Sequence, residues 1–313
     1  AKFSNWDADK FQLVIADELA TKEYQYYDLF KKLEIGYEGF EEICDLANNL
    51  GIEIIFDVFG PLSLEMAENL NIKTIKLHPT DFNNEELLLK LKESKKCEHI
   101  IAGCGGSNLD EITKTIKILG DSKKITLLHG FQAYPTPLED NCLERIKTLI
   151  NISKGFKADI SVGFADHADP DLPDSTHLAI AAIGFGATFI EKHLTLARCL
   201  KLEDHESAIS PDELKEFIST IRRIDNSFND SENFEKFMMP TSELKYRESF
   251  LRHVVAKRDL QKDHIITIND ISMKRSNSKF PIESRSAVIG KKLLKPIKQN
   301  MAIEKESIAE KNA

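Results

Sequence analysis

Long apolar runs are missing from this 313-residue chain. Its most apolar stretch, residues 178–190, is interrupted by Gly184 and Gly186 and falls short of the roughly 18 to 20 residues that a membrane-crossing helix needs, so no membrane span is expected. The N-terminus, Ala1-Lys-Phe-Ser-Asn-Trp-Asp-Ala-Asp9, lacks the basic-then-apolar layout of a secretory signal, which makes the cytoplasm the default expectation. Cysteine is sparse. Cys44, Cys97, Cys104, Cys142 and Cys199 are odd in number and include no C-x-x-C pair, a pattern that fits neither a disulfide framework nor a structural zinc site. An excess of basic charge is missing too. With a net charge of −9 and dispersed lysines, the chain has no clustered basic face for a phosphate backbone, and no nucleic-acid partner is expected.

What the chain has is alternation. From Gly51 to about Asp225, short β-prone runs take turns with helical patterns, the signature of parallel β-α-β units. The strand-like runs are Glu53-Ile-Ile-Phe-Asp57, Thr74-Ile-Lys-Leu77, His99-Ile-Ile-Ala102, Ile125-Thr-Leu-Leu-His129, Ile160-Ser-Val162 and Thr188-Phe-Ile190. Helices are expected at 62–69, 84–93, 109–119, 138–152 and 172–183, with Asn108 placed to cap the third. Counting Ala1-Lys-Phe3 as a further strand gives seven, against the eight of a closed barrel. The pattern weakens between 229 and 246, which reads as a linker.

Two segments carry the chemistry. Gly163-Phe-Ala-Asp-His167 and Glu191-Lys-His193-Leu-Thr195 each put a histidine just beyond a β-prone run, one helix length apart. In an alternating β/α chain this spacing brings two imidazoles together at the carboxyl ends of neighbouring parallel strands, where such folds build their sites. His167 and His193 are therefore candidate ligands of a divalent metal; neutral imidazole suits Mn, Fe or Zn, and substrate oxygens favour Mn or Mg. Lys76, inside the apolar run 74–77, is informative because burying an ammonium is costly without an anion beside it. Lys192 is either a further anion-binding lysine or, since strand alternation points it away from His193, an ion-pair partner of Glu191 or Asp166.

These segments resemble the motifs of the sialic acid synthase family. Gly163-Phe-Ala-Asp-His167 is similar to its G-[YF]-S-D-H-T, Glu191-Lys-His193-Leu-Thr195 to its E-K-H-[FL]-T, and Asp204-His-Glu-Ser-Ala-Ile-Ser-Pro211 to its D-H-x-x-S-[LI]-x-P. Tyr134-Pro-Thr-Pro137 matches Y-P-[TS]-P. The resemblance implies an α/β fold, a (β/α)₈ TIM barrel lacking its first β/α unit at 1–228, then the linker 229–246 and a small antifreeze-like, β-rich (SAF) domain at 247–313. It also implies that roughly 35 to 45 further residues precede Ala1. The activity implied is the condensation of phosphoenolpyruvate with an N-acetylated amino sugar, with Mn (or Mg) as the divalent metal on His167 and His193 and a domain-swapped homodimer as the assembly. By the same resemblance Lys2 and Lys76 hold phosphoenolpyruvate, Asp81 assists proton transfer (its alternative being a helix cap), Tyr134 and Asp204 contact substrate, and Arg275 reaches the partner subunit's sugar site.

Departures from the family pattern cluster around the anion. Phe56-Asp57-Val58-Phe59 replaces S-T-P-F, Pro79 replaces a serine, Gly103-Cys104 replaces a Ser-Thr pair, and Ala165 replaces the S-D-H serine. Either backbone amides of 103–106 cradle the anion instead, or the carboxylate of Asp57 repels phosphate and the anionic substrate has changed. Another enol or 2-oxo acid and a catalytically silent carbohydrate-binding relative are the rival readings.

Overall fold

The computed structural model describes residues 7–130, 133–173, 175–228 and 238–309. The chain divides into two compact units, Ala1–Ser231 and Glu232–Ala313.

In the first unit, eight parallel strands form one sheet in sequential order: β1 Ala8–Gln12, β2 Glu53–Val58, β3 Thr74–Leu77, β4 His99–Gly103, β5 Lys124–His129, β6 Ile160–Asp166, β7 Phe189–Leu194 and β8 Ala208–Ile209. Strict sequential order of parallel strands with intervening helices is the arrangement of a (β/α) barrel. Among the described residues, β1 and β8 stand at the two ends of this order. Among the described residues the first strand is at 8–12; the strand expected at 1–3 falls outside them. Strand β8 is only two residues long, paired with the end of β7 through His193↔Ala208 and Leu194↔Ile209, too short to leave a pattern in the sequence.

The helices after β1 are α1 Ala16–Leu19, α2 Tyr27–Leu33 and α3 Tyr37–Leu50; then come α4 Pro61–Asn69, α5 Glu85–Glu93, α6 Leu109–Leu119, α7 Arg145–Ser153, α8 Ser175–Gly184 and α9 Pro211–Asp225. Their starts are written in polar residues. The Asn108 carboxamide oxygen accepts from the amides of Asp110 and Glu111, while Glu111 accepts from the Asn108 amide, a reciprocal capping box that satisfies donors the helix cannot. The Glu18 carboxylate accepts from the amides of Leu62 and Ser63 at the start of α4, where negative charge is favoured.

The main core lies between sheet and helices, with Phe40 of α3 edge-on to Phe56 of β2 at 5.0 Å. A second, inner cluster of Ile55, Ile101, Leu128 and Ala165 fills the concave side of the sheet, with Phe189 packed on it. Gly163 permits the close approach of β6 to β7: a Cβ there would lie 2.9 Å from the Phe189 backbone oxygen.

In the second unit, helix α10 Thr241–Phe250 begins inside the segment expected to be linker. Antiparallel strands β9 His253–Ala256 and β10 Ile271–Lys274 follow, and single bridges such as Leu260↔Ile297 and Leu293↔Ile308 stitch the rest. Val254, Ile271, Val288, Leu293 and Ile303 are its buried centre. The buried Asp270 carboxylate accepts from Arg258, His264 and both donors of Thr267, which ties the unit's loops to one charged centre.

Candidate metal centre and anion site

Period-two alternation along β7 points Phe189, Glu191 and His193 the same way and Lys192 the other. Phe189 meets the inner apolar cluster. Above it in the column, Glu191 Oε1 accepts from Lys76 Nζ at 2.8 Å. His193 comes next and faces His167, which lies one residue past β6, with ring centroids 5.0 Å apart. Lys192 reaches instead to Asp166 and the Ala168 carbonyl, resolving its alternatives in favour of Asp166. The backbone oxygen of His167 accepts from the Thr136 amide and the Ser207 hydroxyl, so this residue is held from two loops at once.

Ligand atoms of His167, Glu191 and His193 lie within 4.8 Å of one another. Burial depresses both imidazoles, His167 to about 4 and His193 to about 3, so both rings are neutral and able to give a lone pair. The Nδ1 atom of His167 is buried without a hydrogen-bond partner, an orphan that a buried polar atom rarely remains unless something else takes it up. Burial works against the Glu191 carboxylate, but Lys76 and Lys10 outweigh it and hold its pKa below the usual range. Two neutral nitrogens and an ionised oxygen fit a divalent first-row metal.

Tyr134 stands edge-on to both imidazoles, 5.3 Å from His167 and 5.6 Å from His193, and burial pushes its phenol up to about 12. It is therefore a neutral donor. Asp204, in a left-handed backbone conformation, places a carboxylate oxygen 3.5 Å from His193 Nδ1; burial raises its pKa.

Below the metal group lies a row of buried charges. Asp57 on β2 is opposite Lys76 on β3 in register, and its Oδ2 lies 3.9 Å from Lys76 Nζ and 3.7 Å from Lys10 Nζ. Burial opposes the Lys76 ammonium, yet Glu191 and Asp57 raise its pKa above the ordinary lysine value. Lys76 thus stands where an inward cation was expected.

Lys2 lies outside the described residues. The lysine of the first described strand that meets Asp57 is Lys10. Asp81 ends a single 3₁₀ turn, Pro79–Asp81, and does not cap α5, whose first-turn amide at Leu87 is taken by Asn84. Burial lifts its carboxyl to about 6, with the charges of Asp57 and Glu18 adding to the rise. Cys104 is a buried thiol pushed up to about 12 by burial, and is no nucleophile. Arg275 belongs to the second unit, exposed, donating to the Phe250 carbonyl with its guanidinium over that ring. Glu191 and Lys10 are the site residues that the sequence did not assign to the site, whereas Asp57 stood out as a departure from the family pattern; the alternation of β7 and an ionisable residue inside a buried strand were the available signals.

Fold and site together define a class: a parallel α/β barrel with two histidines and a glutamate able to hold a metal near the carboxyl ends of its strands, and lysines beside them. The chain belongs to the NeuB family, whose model matches residues 1–233. It is 31% identical over 295 residues to an uncharacterized protein of Methanocaldococcus jannaschii, covering 94% of this chain and 83% of that one. It is 28% identical over 279 residues to the N,N'-diacetyllegionaminic acid synthase of Campylobacter jejuni, covering 88% and 79%. The N-acetylneuraminic acid (sialic acid) synthetase of Leptospira borgpetersenii shares the fold with a TM-score of 0.67 at 23% identity, over 78% of this chain and 81% of that one.

Proposed function

We propose that this chain is a nonulosonic acid synthase, joining C3 of phosphoenolpyruvate to the aldehyde carbon of an open-chain N-acetylated amino sugar, with water adding at C2 and inorganic phosphate leaving. The observation that carries the reading is the convergence of His167, Glu191 and His193 beside the buried Lys76 and the half-buried Lys10, which brings candidate metal ligands and anion-binding cations together. Membership of the NeuB family supports it.

His167, Glu191 and His193 would hold the metal, read as Mn for the hard oxygens its substrates bring. When bound, the metal supplies Lewis-acid polarisation of the sugar's aldehyde oxygen. Lys10 and Lys76 take the carboxylate and phosphate of phosphoenolpyruvate as paired cations. Tyr134 donates from its neutral hydroxyl to substrate at the mouth, and Asp204 orients His193 and accepts from a sugar hydroxyl. With its carboxyl near 6, Asp81 is matched to give and take a proton at neutral pH. The second unit is read as the antifreeze-like (SAF) domain, carrying Arg275 to the sugar site of the partner subunit in a domain-swapped homodimer. Among the described residues no helix is long and apolar enough to cross a membrane, and the proposed location is the cytoplasm.

The test is phosphate release from phosphoenolpyruvate in the presence of each of a panel of N-acetylated mannosamine-type and diacetylated amino sugars, with Mn supplied. Release that needs both sugar and metal, with a product one pyruvate unit heavier than the sugar, is the expected result. Metal-loaded protein that binds phosphoenolpyruvate but turns over no sugar on the panel would contradict it.

A further inference from the structure

Asp57 has no role in the reading above, and its environment is unusual. It is fully buried, yet neither carboxylate oxygen accepts a hydrogen bond. Buried carboxylates are ordinarily hydrogen-bonded as well as paired. What surrounds Asp57 is two ammonium groups at 3.7 and 3.9 Å, beyond hydrogen-bond reach. Lys76 spends its short contacts on Glu191. Lys10 stands 3.7 Å from Asp57 Oδ2 and keeps part of its side chain open to solvent.

The row Lys10, Asp57, Lys76, Glu191 therefore carries two positive and two negative charges. Glu191 has a second use, since it belongs to the candidate metal group, and a bound metal would compete with Lys76 for its carboxylate. Asp57 has no second use. It is the counter-charge left between the lysines when an anion arrives.

We infer that Asp57 is a specificity-determining residue: a resident carboxylate that competes with the anionic substrate for Lys10 and Lys76 and holds the affinity for phosphate-bearing ligands low. The inference rests on the anion site assigned under the proposed function and deepens it. Two like charges about 4 Å apart in a partly desolvated site repel strongly even at a generous effective dielectric, so the carboxylate weakens every anion that enters, substrate and released phosphate alike. Its consequence is turnover: product phosphate leaves readily because the lysines have a partner to return to.

The experiment compares wild type with Asp57→Asn, which preserves shape and removes the charge, by calorimetric titration with phosphoenolpyruvate and, separately, with inorganic phosphate. Both proteins are titrated metal-free and Mn-loaded. Asp57→Asn is expected to bind both ligands about tenfold or more tightly, and to show a lower KM for phosphoenolpyruvate together with a lower kcat and stronger inhibition by phosphate. Asp57→Ser, whose hydroxyl also fits the space, is the second variant, and thermal unfolding identifies whichever variant is folded. Adding Lys10→Met to Asp57→Asn should erase the gain. A folded variant that binds inorganic phosphate no more tightly than wild type overturns the inference and leaves Asp57 a structural counter-ion. Tighter phosphate with no phosphoenolpyruvate binding by either protein supports the role of Asp57 and instead sinks the phosphoenolpyruvate reading.

Discussion

Glu191 is asked to do two things, to neutralise Lys76 and to complete the metal group. Glu191→Gln keeps the volume and hydrogen-bonding reach but removes the charge. It should weaken metal binding by at least about tenfold, since even residues behind the ligands cost that much. Competition with a fluorescent chelator reads the affinity, and an unchanged value would assign Glu191 to Lys76 alone. At this scale the histidines were plain in the sequence because each stands in a motif beyond a β-run. Glu191 stood in the same motif but was read as an ion-pair partner, because a sequence does not say which face of a strand points inward until one residue on it is fixed. Once His193 faces the metal, alternation assigns Glu191 to the same side and Lys192 to the other. Asp57 was visible as a departure from the family pattern; that it lies between two lysines depends on the register of β1, β2 and β3, which no local pattern encodes.

At the scale of elements, α6 was readable to the residue, since its apolar period and its cap agree. Asn108→Ala removes the acceptor for two first-turn amides and should cost about 1 kcal/mol, measured by chemical denaturation. The helix expected at 138–152 is instead a 3₁₀ turn, Leu138–Asn141, followed by α7 from Arg145; Asn141 donates to the carbonyls of Pro137 and Leu138, and this local closure ends the turn. Helices α1 to α3 precede Gly51, where the regular β/α alternation starts. Strand β4 carries a pH dependence of its own. His99 is lowered to about 4, first by burial and then by Lys124, and its Nε2 is 2.8 Å from the Thr126 hydroxyl. A histidine whose folded value lies below its ordinary 6.5 is held neutral in the fold, so the unfolded chain binds the extra proton first and stability falls as pH drops from 6.5 towards 4. Discounting for partial exposure, His99 should account for roughly 1–2 kcal/mol of that loss. Thermal melts of wild type and His99→Gln across pH 4 to 7 would show it as a shallower slope in the variant; parallel slopes would remove His99 as the cause.

Across the whole molecule, the two units have separate cores and divide at Ser231–Glu232. The β/α alternation made the first legible; the second, with short strands and single bridges, was legible only through family landmarks. Its single charged centre gives a local prediction. Asp270→Asn removes the charge and turns one of the two acceptor oxygens, facing either Arg258 or His264, into a donor, and should destabilise the second unit by about 2 to 4 kcal/mol, read as earlier loss of amide-exchange protection at 253–308 with protection in 53–194 unchanged; uniform loss would mean the units unfold together. The account as a whole depends on the metal group. Its most direct test is elemental analysis of purified, Mn-reconstituted protein after gel filtration, wild type beside His167→Ala and His193→Ala. The account predicts about one divalent metal per chain in wild type and almost none in either folded variant, since losing one of two nitrogen ligands leaves a weak site. One retained metal per chain in both variants would contradict it.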